Sequence, residues 1–373
     1  MRILVDYRPA LRQRTGVGEY IHELVQALAR RGTDEVAIFT SSWRDRPTEH
    51  LSAKLGARVV DRRIPVSILN ALWHRRAWPP VEWLAGACDV VHAAHPLLIP
   101  ARRAAQLITI HDLFFLTDAA ATGAEIRRDY PDLAADHARR AHAIVTSSEY
   151  GRQQIASRLS VASSRIHVVP PGAPRWQTLG RIPNLSRSGY VLFVGTLEPR
   201  KNIGTLLDAW TQVTTALSGR TLIIAGRTTA HSDIWLDRIR RPPLAGRVEY
   251  RGYVPDDERE ALFAGASALV LPSLDEGFGL PVLEAMSAGV PVIASRRGAI
   301  PEVAGGAAEL VDPADIGGLV TAICRVLSDQ AHAADLATRG LVRARDFSWD
   351  RSAAALVAAY QDAITRRHAE SRR

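Results

Sequence analysis

An α/β fold of two doubly wound parallel sheets is predicted by three observations. Short β-branched runs alternate with helical periodicity from one end of the chain to the other. That alternation restarts after Pro170-Pro171-Gly172 and the polar stretch 182–189. The chain has 373 residues, and a soft prior of about 150 residues per domain gives two domains.

The first unit opens on the strand-like run Ile3–Val5, and a helix is expected over Glu19–Leu28. Further strand-like runs are Val36–Thr40, Val90–His92, Leu107–Ile110 and Ala143–Thr146. The last leads into a helix from Glu149, with Ser147 and Ser148 as its cap. Tyr190–Gly195 begins the second unit, with a helical run from Ile203. Thr221–Ala225, Val248–Tyr250, Ala268–Leu271 and Val292–Ala294 continue it. Gly277 and Gly279 break the run ending at Pro272, and Pro281 suits a first helical turn, where a missing N–H costs nothing. Val282, Leu283, Met286 and Val290 then fall close to helical spacing. Phe347–Tyr360 is helical in pattern. The domains are therefore read as 1–180 and 181–345, followed by a terminal helix over 346–373. Ligands of such sheets sit beyond the carboxyl ends of the strands.

Charge and composition narrow the function classes. The formal +8 attracts polyanions, but the arginines are scattered and no nucleic-acid recognition module accompanies them, which argues against nucleic acid. No signal-peptide pattern or membrane-spanning apolar run is present, and Cys88 and Cys324 read as small core residues in a reducing compartment. A cytoplasmic protein is expected. The segment Ile64–Trp78 mixes aliphatics, tryptophan and arginine. It reads either as an edge helix or as an interfacial element at the inner face of an anionic membrane. No D-x-D triplet and no His/Cys/carboxylate cluster has metal spacing, so no metal is expected.

Candidate chemistry gathers after three strands. Gly279 and Leu280 would bring N–H groups to a helix start that suits a diphosphate. Glu276 lies before that turn and Glu284 one turn into the helix. Carboxylates there would repel phosphate but accept hydrogen bonds from the hydroxyls of a sugar and a ribose, unless they are only a solvated loop residue and a helix-dipole partner. Gly195, Arg200 and Lys201 follow another strand, and the two cations suit a diphosphate. Gly16 and Gly18 form a lone G-x-G, and Ile21 stands where a dinucleotide fingerprint needs its third glycine. His111 and Asp112 directly follow an apolar strand. His92 and His95 are fainter candidates, for which a loop role fits as well.

The stretch Pro272–Met286, continued through Ala288–Ser295, Gly298, Pro301-Glu302-Val303 and Gly305–Ala308, resembles the E-x7-E signature of glycosyltransferase family 4. That family comprises retaining enzymes of the GT-B fold, in which two doubly wound Rossmann-like domains face each other across a cleft. The resemblance implies that Glu276 contacts the donor sugar and Glu284 the ribose. It implies that Arg200 and Lys201, in their Gly195…Arg-Lys-Asn context, hold the diphosphate. Gly277, Phe278, Gly279 and Leu280 complete the donor site, and Gly16 and Gly18 approach donor phosphates and acceptor. His111 becomes a catalytic-centre residue beside the sugar, with Asp112 orienting it or facing the acceptor. The terminal helix is expected to cross back to the first domain. No cofactor is implied, because the nucleotide sugar is the substrate.

Together with His111-Asp112-Leu113, the Gly195–Asn202 segment is similar to that of bacterial mannosyltransferases that use GDP-mannose for surface polysaccharide, with a glycan or lipid-linked glycan as acceptor. A UDP-hexose donor is the alternative within the class. A sugar-nucleotide epimerase of the same fold and a non-catalytic nucleotide-sugar or polyanion-binding protein remain readings of other classes. An NAD-dependent oxidoreductase is discouraged by the incomplete fingerprint. Oligomeric state is not legible.

Overall fold

A computed structural model describes residues 1–11, 14, 16–116, 130–176 and 189–372. These fall into two compact units, the first drawn from 1–172 and 348–372 and the second from 173–347. The 180/181 boundary expected from sequence lies outside the described residues, as does Thr15 ahead of the first glycine pair.

Unit 1 is built on seven strands, β1 (Arg2–Asp6), β2 (Glu35–Thr40), β3 (Arg58–Asp61), β4 (Val90–Ala93), β5 (Ala105–Thr109), β6 (Ala143–Thr146) and β7 (Ile166–Val168). Their order is 3-2-1-4-5-6-7 and every pairing is parallel. Side chains alternate across a strand, so a sheet buried on both faces needs apolar residues at nearly every position. Ile3, Val5, Val36, Ile38, Leu107 and Val145 enter one core, together with residues of the helices Gly16–Arg30 and Trp349–Ser371. Leu4, Ala37, Phe39, Ile108 and Ile144 enter the other. There they meet Leu69 and Trp73 of the helix Val66–Arg76 and Ile155 and Leu159 of the helix Glu149–Leu159.

Unit 2 repeats the plan with β8 (Tyr190–Val194), β9 (Leu222–Ala225), β10 (Val248–Gly252), β11 (Ala266–Leu271), β12 (Val292–Ser295) and β13 (Glu309–Val311). Their order is 10-9-8-11-12-13, again wholly parallel, with Leu192 of β8 opposite Leu269 of β11. The chain leaves β8 towards β9 and leaves β11 towards β12. The β8/β11 boundary is therefore the topological switch point, the place in such sheets where loops part and ligands bind. In unit 1 the same point lies between β1 and β4.

Several local readings change. The first long helix begins at Gly16, so Gly16 and Gly18 form its first turn instead of a loop ahead of it. Glycine at 18 allows a close approach there: a Cβ on it would stand 3.0 Å from the Pro9 carbonyl oxygen. The helix after Pro281 covers only Leu280–Ser287, because Gly289 turns left-handed (φ 68°) and the Val290 N–H closes onto the Ala285 carbonyl. The terminal helix covers Trp349–Ser371, within the expected 346–373, supported by the Arg366–Asp362 ion pair and buried Ala363.

Candidate active site

Both loops at the unit 2 switch point carry the residues singled out from sequence. After β8, Gly195 donates its N–H to Ala225 and lies where a Cβ would press at 3.4 Å on the Lys201 side chain. Gly226 approaches still closer, since a Cβ there would stand 1.8 Å from the Gly195 carbonyl oxygen. A short 3-10 turn, Pro199–Lys201, then presents both cations and ends at Asn202, which is left-handed (φ 56°). Asn202 binds this loop to its neighbours: its amide donates to the Pro272 and Pro313 carbonyls, at 3.1 and 2.8 Å. Leu274 N–H reaches back to the Arg200 carbonyl at 2.8 Å.

The second loop places Glu276 against those cations. Its Oε1 accepts from Lys201 Nζ at 2.6 Å and from Ser273 Oγ at 2.7 Å, and its Oε2 accepts from Arg200 Nη1 at 3.0 Å. Arg200 also reaches Glu198 at 2.7 Å and the Asp275 carbonyl at 3.0 Å. Glu276 is only 5% exposed. Burial alone would raise its carboxyl; the charges of Lys201 and Arg200, with hydrogen bonds from Lys201 and Ser273, outweigh that and hold it down at about 2. Gly298 makes this possible from outside the loop. It is left-handed (φ 63°), and a Cβ on it would stand 2.6 Å from both the Glu276 N and O atoms.

Glu284 is arranged differently. Arg259, on the helix Asp256–Ala264, donates Nε and Nη2 to its two oxygens, each at 2.7 Å, a bidentate fork. Gly279 (φ 96°) caps the helix that carries Glu284, with no side chain serving as cap. Leu280 is half-buried against the unit 2 core, and Gly277 lies in the same loop. The Phe278 ring is 7% exposed and packs edge-on against Phe347 at 5.6 Å. The side chain is thus committed to the core.

In unit 1, His111 follows β5 and packs edge-on against Tyr20, with centroids 5.2 Å apart. Burial pushes its pKa down to about 4, so the ring is neutral at neutral pH. Its buried Nε2 has no hydrogen-bond partner among the described residues. Asp112 accepts the Phe114 N–H at 3.1 Å, fixing its own turn. His92 is structural, bridging Tyr360 OH (2.9 Å) and Thr109 Oγ1 (2.7 Å). A further cluster, of which only His95 was singled out from sequence, stands at the unit 1 switch point. Buried Asp6 is held ionised by a two-point pair with Arg8 and by His95 at 3.3 Å. Among the described residues no group of three or more His, Cys, Asp or Glu could hold a metal ion. No described helix is long and apolar enough to cross a membrane.

Two doubly wound parallel-sheet units with a cation–carboxylate triad at a switch point have the GT-B architecture, and comparison with known proteins shows the glycosyltransferase family. Residues 14–175 match the family model "Glycosyltransferase Family 4" and residues 188–329 the model "Glycosyl transferases group 1". The O-antigen chain mannosyltransferase B of Escherichia coli is 30% identical, over 97% of this chain and 100% of that protein. An MMP alpha-(1->4)-mannosyltransferase of Mycolicibacterium hassiacum is 32% identical over 61% of this chain and 56% of its own length. Among solved structures, sucrose-phosphate synthase from Thermosynechococcus elongatus superposes with a TM-score of 0.79 at 20% identity, over 97% and 98% of the two chains. HepE from Anabaena, in complex with UDP-glucose, gives 0.72 at 17% identity, over 96% and 99%. The chain belongs to glycosyltransferase family 4, the group 1 glycosyltransferases.

Proposed function

We propose that the protein is a retaining mannosyltransferase that moves mannose from GDP-mannose to a hydroxyl of a glycan or lipid-linked glycan in surface-polysaccharide synthesis. The observation that carries this reading is the ionised, buried Glu276 held by Lys201, Arg200 and Ser273 at the carboxyl ends of β8 and β11. Without donor, Glu276 and Glu198 together balance the charges of Lys201 and Arg200. An arriving diphosphate takes over the cations, and Glu276 turns its lone pairs to the sugar hydroxyls. The bond from the anomeric carbon to the diphosphate oxygen then breaks while the acceptor oxygen attacks the same face. The acceptor proton passes to the leaving phosphate oxygen, and configuration is retained. Arg200, Lys201 and the helix start at Gly279 and Leu280 stabilise the departing charge, so no divalent ion is needed for that task.

Glu284, held by Arg259, is assigned to the ribose. His111 is assigned to the sugar as a neutral imidazole, and Asp112 holds the turn that carries it. Gly16 and Gly18 are assigned to the approach of donor phosphates and acceptor, through the first turn of their helix. Mannose is favoured over other hexoses by the match to the E. coli mannosyltransferase across nearly the whole of both chains.

The test is product analysis by NMR after incubation with GDP-mannose or UDP-glucose and a lipid-linked glycan acceptor. An α-mannoside formed only from GDP-mannose supports the reading. Product from UDP-glucose alone overturns the donor, a β-mannoside overturns retention, and an epimerised sugar nucleotide formed without acceptor overturns transfer.

A further inference from the structure

Tyr20 touches three parts of unit 1 at once. It lies on the helix Gly16–Arg30, one turn on from Gly16, and only 3% of it is exposed. Its ring stands edge-on to the His111 imidazole, with centroids 5.2 Å apart and planes at 87°. On another side it meets Trp349, at 5.9 Å. Its hydroxyl donates to the Val169 carbonyl, 2.9 Å away and directly beyond β7.

These contacts separate what the hydroxyl does from what the ring does. The hydroxyl is committed to a backbone oxygen, and burial pushes its pKa far up, so Tyr20 is no proton donor to His111. The ring supplies a fixed apolar wall. Trp349 backs that wall, and Gly172 leaves room for it: a Cβ on Gly172 would stand 2.3 Å from the Trp349 backbone nitrogen and 2.6 Å from its Cγ. The chain ahead of His111 is anchored as well, by Ile110 N–H on the Val145 carbonyl at 2.9 Å and by Thr109 Oγ1 on His92 Nε2 at 2.7 Å. The imidazole itself is not gripped in this way, because its Nε2 has no hydrogen-bond partner among the described residues. A histidine ring turns broadly about its outer torsion, so its orientation here falls to packing.

We propose that Tyr20 is a positioning residue for the transfer reaction: its ring fixes the His111 imidazole in the orientation in which it meets the donor sugar and keeps water off the covered edge. The inference rests on the assignment of His111 to the sugar. Departure of the diphosphate leaves positive charge on that sugar, and an imidazolium beside it would oppose that charge. A neutral ring does not, and it still offers one donor and one acceptor to sugar hydroxyls. The titratable groups facing His111 are Tyr20, Asp112 of its own loop and His92 on β4, with Tyr360 of the terminal helix behind His92. Asp112 favours the protonated ring, so the apolar cover has to outweigh it. The helix that carries Tyr20 also carries Gly16 and Gly18, which ties the imidazole to the glycine turn.

The test compares Tyr20→Leu, Tyr20→Phe and His111→Ala in the full chain, with GDP-mannose or UDP-glucose, whichever the parent turns over, below each variant's melting temperature. Tyr20→Leu is expected to lower kcat about tenfold or more while donor KM stays within about twofold. It should also move the acid limb of kcat up from about 4 towards the ordinary histidine value of about 6.5. Tyr20→Phe keeps the ring and is expected to recover most of kcat and the parent pH profile, while melting lower for the lost bond to Val169. Imidazole NMR, with the His111 signal assigned by its loss in His111→Ala, should show the same upward move of the His111 midpoint in Tyr20→Leu without any turnover. Plain core packing would lower the melting temperature and leave both pH readouts in place. The proposal is overturned if folded Tyr20→Leu keeps the parent kcat and pH profile, if its His111 midpoint does not move, or if Tyr20→Phe loses as much kcat as Tyr20→Leu. Full activity of His111→Ala would overturn the His111 assignment and the proposal with it, whereas loss in His111→Ala with none in Tyr20→Leu would overturn the proposal alone.

Discussion

Glu276 is the residue on which the donor site balances. It shares Arg200 with Glu198 and is the carboxylate paired with buried Lys201, and removing one partner of such a group leaves uncompensated charge, at a cost of roughly 3–5 kcal/mol. Glu276→Ala is therefore expected to abolish transfer and also to lower the melting temperature. A nucleoside diphosphate should restore more stability to this variant than to the parent, because its phosphates replace the lost carboxylate. An equal ligand shift in both would contradict that role. Arg259 governs the other glutamate through a planar two-point grip that lysine cannot reproduce. Arg259→Lys is expected to weaken binding of a ribonucleoside diphosphate about tenfold and leave binding of inorganic pyrophosphate unchanged, measured by calorimetry. Arg200, Lys201 and both glutamates were legible as a local pattern. Arg259 was not, because it stands 25 positions before its partner, and only packing of two helices joins them.

At the level of elements, the long β-branched strands were legible because burial on both faces demands continuous apolar runs, as in β8 and β11. Short β3, β7 and β13 gave no such run; Arg58, His167 and Glu309 interrupt them, and pairing with a neighbour makes them strands. Strand order was beyond local reading, since it depends on contacts distant in sequence. The same holds for Gly298, whose importance comes from the Glu276 backbone lying against it. Gly298→Ala adds strain at a left-handed position and a clash with that backbone, at a cost of about 1–3 kcal/mol. It is expected to lower the melting temperature and to cut transfer more than a stability loss alone explains. Unchanged activity in the folded variant would remove Gly298 from the support of the site.

Across the molecule, acid should act unevenly. Among the described residues, the histidines held below their ordinary pKa by burial are His22, His74, His92, His111, His137 and His142, all in unit 1. A histidine kept neutral in the fold favours the folded state fully above its unfolded pKa of about 6.5, and that contribution falls as pH drops towards the folded values of about 3 to 4. The Glu276 contribution is lost lower, as pH falls from about 4.5 through about 2. Between pH 6.5 and 5, hydrogen exchange corrected for its intrinsic pH dependence should therefore show unit 1 losing protection before unit 2; the reverse order would contradict this. The most direct test of the donor assignment is thermal stabilisation of the purified protein by GDP, GDP-mannose, UDP, UDP-glucose and NAD, since a ligand bound only by the folded state raises its melting temperature. A rise with GDP and GDP-mannose that disappears in Lys201→Ala is the predicted result, and a rise with NAD alone would contradict the account.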